Sequence, residues 1–309
     1  MTESWMKRSI GVSFHWTSNT TEADGSRGSY REAVDAFDAD HFVSALRDAG
    51  AGHCIFTLTH AKQYLAFPNE PLEALLPGRT VERDLIGEIT DGLSASGIRL
   101  IAYYNHSCNG DDDPEWKKAC GYADGIHGDL DRFADNICRI VSHTAQRYGK
   151  KLAGWWFDSA YSVDPRGPYN TITCEMGSWR FPWDRLVDAA KAGCGECAVS
   201  VNAGIGQHYL YTPRQEYYAG ETVNLDEAFP QTGPNGMCDH RWICLDNPAW
   251  VFSGPRAFAD PRFSDEEVLA FVRGNLEQGR MTTFNLEIDR SGYINPKSLS
   301  QFDRIRSRL

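Results

Sequence analysis

The sequence has no uninterrupted apolar run of about 18 residues, which a transmembrane helix needs, and its first residues lack the apolar stretch of a secretory signal. It also lacks an excess of positive charge: 31 lysines and arginines oppose 42 aspartates and glutamates, for a formal net charge of -11. This balance repels nucleic acids and anionic membranes. We therefore expect a cytoplasmic protein with no nucleic-acid or membrane partner.

Redox, metal and dinucleotide motifs are incomplete. Nine cysteines, an odd number, fit reduced thiols better than a disulfide framework. The one C-x-x-C, Cys194 to Cys197, has no second pair at zinc-site spacing, so we expect two free thiols there. No G-x-G-x-x-G follows the first apolar run, which disfavours a dinucleotide-binding fold. We expect no cofactor and no metal.

Short apolar runs alternate with amphipathic segments whose apolar residues recur at helical spacing, which predicts alternating strands and helices. The predicted strands cover residues 10–15, 54–60, 98–104, 151–159, 197–202 and 281–286. The predicted helices cover 40–49, 81–96, 129–148, 183–192, 264–278 and 297–309. The region 204–261 is rich in glycine, proline and aromatic residues, and it supports only short strands near Thr222 and Trp242.

Alternating strands and helices imply parallel strands joined by right-handed crossovers. The predicted strand ends recur every 44 to 54 residues, at His15, His60, Tyr104, Asp158 and Asn202. About eight such strands fit the chain. We therefore predict one α/β domain over residues 1–309, a (β/α)8 TIM-like barrel with irregular fifth to seventh repeats. A doubly wound sheet is the alternative.

Polar and aromatic side chains collect at the predicted carboxyl ends of the strands, where such barrels hold their active sites. This ring comprises His15, Trp16, His60, Tyr103, Tyr104, Asn105, His106, Asp158, Asn202, Asn285 and Glu287. Two carboxyls can flank a glycosidic bond, one as nucleophile or base and one as proton donor, while aromatic rings pack on the sugar. The ring therefore favours a glycosidase with a small carbohydrate substrate.

Other interpretations of the ring stay open. A metal-dependent barrel hydrolase would use its histidines and aspartate as ligands, although no H-x-H pair lies on one strand: His15, His60, His106 and Asp158. A catalytically silent carbohydrate-binding barrel would keep the aromatics without the acid. Trp155 and Trp156 must point to opposite faces of their strand, so one of them belongs to the core.

Five segments match one family in the same order along the chain: GVSFHW at 11–16, FTLTH at 56–60, GEITDGLSASGIRLIAYYN at 87–105, YGKKLAGWWFDS at 148–159 and TTFNLEIDRSGYINP at 282–296. They resemble segments of glycoside hydrolase family 29, the α-L-fucosidases. The fourth segment is the most specific, because it is similar to the Y-x-P-x-x-x-W-F-D-G stretch that bears the family's nucleophile.

The resemblance implies a retaining enzyme acting on an α-L-fucoside or a related glycoside. Asp158 would attack the anomeric carbon, and water would hydrolyse the glycosyl-enzyme. Sugar contacts are implied for His15, His60, Tyr104 and Trp156. Position in the ring adds four further predicted binding residues: Trp16, Tyr103, His106 and Asn202.

The proton donor of the family lies in a variable loop after the fifth strand, so the resemblance does not place it on one residue. The segment YTPRQEYYAGE at 211–221 offers Glu216 and Glu221, and Glu227 is another loop candidate. Glu287 ends the last predicted strand. We rank Glu216 first, Glu221 second and Glu287 third.

The sequence departs from the family pattern in three places. His60-Ala61 stands for tandem histidines, Asn202-Ala203-Gly204 stands for N-D-R, and the C-terminal β-sandwich has no counterpart. Losing two polar contacts weakens transition-state binding unless loop residues replace them. The candidates for replacement are Arg214, His208 and Arg241. Otherwise the sugar differs from simple fucose. The sequence is compatible with a monomer or an oligomer.

Overall fold

The computed structural model describes residues 5–110, 112–172, 175–227 and 237–309. The strands in these ranges are β1 (Ile10–Phe14), β2 (His53–Thr59), β3 (Arg99–Asn105), β4 (Leu152–Asp158), β5 (Ala198–Val201), β6 (His240–Cys244) and β7 (Met281–Asn285). The α-helices are α1 (Tyr30–Ala36), α2 (Ala39–Asp48), α3 (Glu70–Leu75), α4 (Leu85–Ala95), α5 (Pro114–Cys120), α6 (Leu130–Tyr148), α7 (Trp183–Ala190), α8 (Asp265–Glu277) and α9 (Pro296–Arg306).

The seven strands form one parallel sheet in the order β5-β4-β3-β2-β1-β7-β6. Helices follow most strands and return the chain to the same end, as a parallel sheet requires. The predicted α/β class and TIM-like architecture are confirmed. The predicted closed barrel of eight repeats is not confirmed, because the described chain has seven regular strands in an open sheet that ends at β5 and β6.

An irregular segment, residues 216–222, occupies the place where a strand near Thr222 is predicted. Glu216 N donates to Val199 O of β5, and Trp242 N of β6 donates to Gly220 O, both at 2.9 Å. Regular pairing stops there because Gly220 has a φ of 72°, in the left-handed region that glycine adopts without a steric cost. The segment therefore runs along β5 and β6 without becoming a strand.

The side chains of β4 divide between two buried layers. Trp155 and Phe157 stack at 5.5 Å in the cluster beneath the helices, whereas Trp156 belongs to a smaller cluster with Tyr103 and Trp242. This is the alternation expected of a strand, and it confirms that one of the two tryptophans packs in the helix-facing core. Trp156 and Tyr103 share the face that carries the strand-end side chains.

Helices α1, α3 and α5 have no predicted counterpart. Each is six or seven residues long, too short to show a helical period, and each begins at a capping side chain: Ser29, Asn69 and Asp113. They lie in the connections after β1, β2 and β3. The longer helices match their predicted ranges to within a few residues, because an amphipathic period over ten or more residues is a strong signal.

The described residues bear on two expectations from the sequence, one about membrane-spanning segments and one about the thiols of the C-x-x-C motif. No described helix combines the length and the apolar character that crossing a membrane demands. Cys194 and Cys197 are both present as thiols, with no disulfide between them.

The close contact of the 216–222 segment with β6 gives a stability prediction. A Cβ on Gly220 would lie 2.0 Å from the His240 carbonyl oxygen. We therefore expect Gly220→Ala to lower the free energy of unfolding by about 1–3 kcal/mol. Gly274 in α8 has open space around its Cα, and Gly274→Ala should raise stability by about 0.5–1 kcal/mol. Urea unfolding followed by circular dichroism measures both. Equal effects of the two changes would contradict the tight contact.

Candidate active site

Asp158 ends β4 at the carboxyl edge of the sheet, and four donor groups fix its carboxylate. Oδ2 accepts from the Tyr103 hydroxyl and from Asn105 Nδ2, the latter at 3.2 Å. Oδ1 accepts from Asn202 Nδ2 at 2.9 Å and from Ser159 N at 2.7 Å. Ser159 has a φ of 65°, so the chain turns sharply there and leaves the carboxylate facing outward.

Three neighbouring strands supply these donors. Asn105 of β3 is in register with Asp158, and Asn202 N, directly after β5, donates to Phe157 O at 2.7 Å. Parallel strands end at one edge of the sheet, so their last side chains converge without any loop rearrangement. Donors held by the sheet stabilise the negative charge of a partly buried carboxylate.

Glu221 shares one donor with Asp158. Asn202 Nδ2 lies 2.9 Å from Asp158 Oδ1 and 2.7 Å from Glu221 Oε2. The two carboxylate oxygens are therefore no farther apart than the sum of these distances, about 5.6 Å. Both side chains are partly exposed, so both can be reached from outside.

The environment of Glu221 favours its protonated form. Burial raises its pKa to about 8, with the negative charge of Asp158 adding to the rise and the Asn202 hydrogen bond opposing it. At neutral pH Glu221 is therefore held mainly as the carboxylic acid. Two carboxyls whose surroundings push their protonation apart can divide the roles of nucleophile and acid.

Aromatic rings surround His15 at the same edge. Its ring centroid lies 4.9 Å from that of Tyr103, 5.6 Å from that of His60 and 5.1 Å from that of Trp250. Nδ1 of His15 is 2.9 Å from Asn285 Oδ1, which as an amide oxygen can only accept, so Nδ1 carries the proton. We call the rings of His15, His60, Tyr103 and Trp250 the aromatic wall. Its ring faces are apolar, and its nitrogen and hydroxyl groups are polar.

The two histidines of this wall are uncharged at neutral pH. Burial and, second to it, the neighbouring His60 lower the pKa of His15 to about 3. Burial also lowers the pKa of His60, against the opposite influence of Asp158. They can therefore exchange hydrogen bonds with a neutral ligand without adding a positive charge beside Asp158.

Three other predicted binding residues support the site from behind. His106 Nδ1 accepts from Cys108 N at 3.1 Å, so its Nε2 donates to Ser159 O at 2.8 Å and holds the turn after Asp158. Trp156 is buried and stacks beneath Tyr103 at 5.2 Å, forming a floor. Tyr104 faces the helix layer, where its hydroxyl donates to Gln63 Oε1 at 3.0 Å.

Trp16 also lies outside the wall. It is buried against Tyr30 and Phe37, and its indole nitrogen donates to Arg290 O at 3.0 Å. Because successive strand residues alternate in direction, the presence of His15 in the site places its neighbour on the other face. The structure thus brings His15, His60, Tyr103 and Asn202 together with Asp158, and leaves Trp16 and Tyr104 in the core.

The other two acid candidates have different surroundings from Glu221. Glu216 Oε1 pairs with Lys191 Nζ at 2.8 Å, and its Oε2 accepts from Val199 N at 3.0 Å, short of the carboxyl end of β5. Glu287 is buried, pairs with Arg256 and accepts from Ala259 N at 2.7 Å. Neither contacts Asp158 or its donors, so the first-ranked candidate is not the one that the structure brings to Asp158.

The residues considered as replacements for missing family contacts already have partners. Arg214 pairs with Asp188 of α7 at 2.7 Å. Arg241 and His208 both contact Asp239, at 3.0 and 3.1 Å. These contacts engage the three side chains within the protein, away from Asp158.

The metal-hydrolase alternative requires several ligands to converge. In the part of the chain that the structure describes, no group of three His, Cys, Asp or Glu side chains is arranged to hold a metal ion. His106, one of the proposed ligands, packs its ring on Phe133 of α6. The geometry therefore gives that alternative no support.

The sequence pattern missed Trp250, Trp242 and Tyr161. Trp250 and Trp242 come from the region without a readable period, and Trp250 has a φ of 63°, a conformation that no propensity predicts. Tyr161 follows the sharp turn after Asp158; the charge of Asp158 is the first cause that raises its pKa, ahead of burial and of Glu221. Its position three residues past a strand-end acid is the one signal that could have found it.

Solved structures share this fold at low identity. An endo-fucoidan hydrolase of glycoside hydrolase family 107 aligns with a TM-score of 0.74 and 16% identity, over 100% of this chain and 53% of its own. An α-L-fucosidase of family 29 from Bacteroides thetaiotaomicron aligns with 0.66 and 13%, over 99% and 72%. At such identities the likeness concerns the fold. This chain spans about half the length of the first of these relatives.

An α-L-fucosidase from Lactobacillus casei, solved with α-L-fucose product, aligns with a TM-score of 0.66 and 15% identity, over 100% of this chain and 99% of its own. No curated protein sequence matches the chain. The family model for α-L-fucosidase, however, matches residues 1–223. That range contains β1 to β5 and both carboxyls that Asn202 joins. The chain therefore belongs to the α-L-fucosidase family.

Proposed function

We propose that the chain is a retaining glycoside hydrolase that cleaves an α-L-fucoside or a related glycoside, with Asp158 as nucleophile and Glu221 as acid/base. The observation that carries this proposal is the single Asn202 amide that donates to both carboxyls. Retaining enzymes hold their carboxyls about 5–5.5 Å apart, against about 6.5–9.5 Å in inverting ones. The limit set by Asn202 supports the retaining class.

The first step uses the two protonation states of the pair. The ionised Asp158 carboxylate attacks the anomeric carbon while the glycosidic bond breaks, and Glu221 gives its proton to the departing oxygen. The Tyr103, Asn105, Asn202 and Ser159 donors hold the carboxylate in one orientation before attack. Orientation by a sheet lowers the entropy cost of the bond-forming geometry.

The second step follows from the change in charge. Once Asp158 is esterified to the sugar, its negative charge is gone, and the part of the Glu221 pKa rise that this charge causes disappears. Glu221, now ionised, can take a proton from water as that water attacks the anomeric carbon. Asp158 leaves as a carboxylate, and the original protonation states return.

The aromatic wall is the proposed sugar surface. Trp250 and Tyr103 offer ring faces, and the neutral His15 and His60 offer ring nitrogens as hydrogen-bond partners. A ring face packs against the C–H side of a sugar, and nitrogen partners orient its hydroxyls. Membership of the α-L-fucosidase family favours a fucose-like sugar for this surface.

A panel of 4-nitrophenyl glycosides, including α-L-fucoside, α-L-galactoside and β-D-glycosides, tests the activity. We expect turnover of the α-L-fucoside or a close analogue. Asp158→Gly should reduce kcat/KM at least roughly a thousandfold, and azide should restore turnover by filling the space of the lost carboxylate. Asp260→Gly, at an exposed residue, is the matched control. Silence of the native chain across the panel would favour a carbohydrate-binding barrel.

The pKa of Glu221 sets the alkaline limit of activity. Because the protonated form is the acid of the first step, kcat/KM should fall as the pH rises through about 8. Glu221→Gln should remove this limb and reduce turnover roughly 10²–10⁴-fold. The loss should be smaller for 2,4-dinitrophenyl glycosides, because 2,4-dinitrophenolate departs without needing a proton. A wild-type limb that persists in Glu221→Gln would assign the acid elsewhere, and Glu216→Gln serves as the comparison.

Asn202 acts on the pH profile as a positioning residue. Its hydrogen bond lowers the pKa of Glu221, so Asn202→Leu should move the alkaline limb to higher pH while kcat/KM falls roughly tenfold or more. Asn136→Leu removes another buried amide, one that donates to Cys120 O, and should leave the limb in place. If Asn202 had only a structural role, Asn202→Leu would lower activity, as Asn136→Leu can, but would leave the alkaline limb in place.

A further inference from the structure

A cavity opens at the same end of the sheet as Asp158. Its volume is about 390 Å³. Its lining comes from the connections after β1, β2 and β7. His15, His60 and Asn285 lie at the ends of these same strands. Lys62 lies on its wall and is fixed beside the active site, because Lys62 N donates to His60 O at 2.6 Å. We call this cavity the basic pocket.

The charge of the basic pocket runs against the composition of the chain. Four of its lining residues are cationic and none is acidic: Arg27, Arg31, Lys62 and Arg290. The chain as a whole carries 42 acidic and 31 basic residues, so a lining whose charged residues are all cationic is unexpected. Tyr30, Tyr64 and Thr80 add hydroxyl groups. A concave surface of this kind concentrates anions.

Arg290 is the most informative of these residues. It is 4% exposed, and its guanidinium donates to the backbone carbonyls of Thr20 and Ser29 at 2.8 and 2.6 Å. Within the described ranges it forms no ion pair. Glu22 and Glu32 are near enough to influence its pKa, but burial and the adjacent Arg27 lower that pKa.

Other buried arginines of the chain have a carboxylate partner. Arg79, 7% exposed, pairs with Asp113 at 2.7 Å, and Arg241, 4% exposed, pairs with Asp239 at 3.0 Å. Burying a guanidinium is unfavourable unless a negative group compensates it. Arg290 differs from both in having no carboxylate partner among the described residues, and it lines the basic pocket, where a ligand can supply that negative group.

We propose that the basic pocket binds an oxyanion, namely a sulfate, phosphate or carboxylate carried by the glycoside on a unit adjacent to the sugar at Asp158. This rests on the proposed function for the position of the cleaved bond, whereas anion binding itself does not. Arginine recognises such groups with two parallel hydrogen bonds. The pocket would therefore select substrates by charge, beside a catalytic wall whose histidines are neutral.

Direct binding is tested first, with inorganic sulfate and inorganic phosphate as separate probes in calorimetry at low ionic strength. The Arg27→Ala/Arg31→Ala variant, changed at two exposed positions, should bind at least roughly tenfold more weakly than the native chain. Lys118→Ala/Arg139→Ala removes the same charge from exposed positions outside the pocket and should bind as the native chain does. No binding by the native chain, or equal losses in the two variants, overturns the proposal.

Kinetics then identify the source of the oxyanion. Fucosyl disaccharides with a sulfate, a phosphate or a carboxylate on the second unit are compared with the neutral disaccharide. The ratio of charged to neutral kcat/KM should exceed one for the native chain and fall at least roughly tenfold in Arg27→Ala/Arg31→Ala. The charged group with the largest fall is the natural one. A ratio that stays unchanged overturns the substrate assignment.

The two proposals fail separately. If Asp158→Gly leaves turnover intact, the nucleophile assignment is wrong, and the calorimetry still decides whether the basic pocket binds oxyanions. If Asp158→Gly abolishes turnover but the two double variants behave alike, the glycosidase proposal stands and the pocket proposal is wrong.

Discussion

The two hydrogen bonds of the Asn202 amide set the geometry on which the rest of the site depends. One N–H reaches the acid at the end of β4, and the other reaches Glu221 on an irregular segment. An amide is neutral, so it can join two carboxyls without cancelling the Asp158 charge that helps to raise the pKa of Glu221. An arginine in its place would stabilise both ionised forms and would leave no proton donor at neutral pH. In this chain, Asn202 is followed by Ala203 and Gly204, and no cation contacts either acid among the described residues.

Much of the strand-end chemistry could be predicted from sequence, because parallel strands place their last residues at a shared edge. Asp158, His15, His60 and Asn202 follow from that rule together with the length of the repeat. Side-chain direction is harder to predict. Because side chains alternate in direction along a strand, Tyr103 and Tyr104 must face opposite ways. When both faces of the strand are buried, however, the sequence does not show which face carries the site. The structure assigns Tyr103 to the carboxylate and Tyr104 to the core.

The ranking of the acids failed for a different reason. Glu216 and Glu221 are five residues apart in a segment with no period, and the local sequence does not show which of them faces β5 and which faces the opening. Lys191, at the end of α7, pairs with Glu216, and such a contact between distant parts of the chain has no local sequence signal. Trp250 escaped prediction likewise, since its left-handed backbone depends on its neighbours in space.

The two carboxyls stand on supports of unequal rigidity. Asp158 is tied to three adjacent strands, whereas Glu221 belongs to residues 216–222, which pair with β5 and β6 only through scattered bonds. Under the proposed mechanism, substitutions in residues 216–222 would displace the proton donor, whereas the nucleophile would keep its place in the sheet. The two chemical roles would then tolerate a change of sequence to different extents.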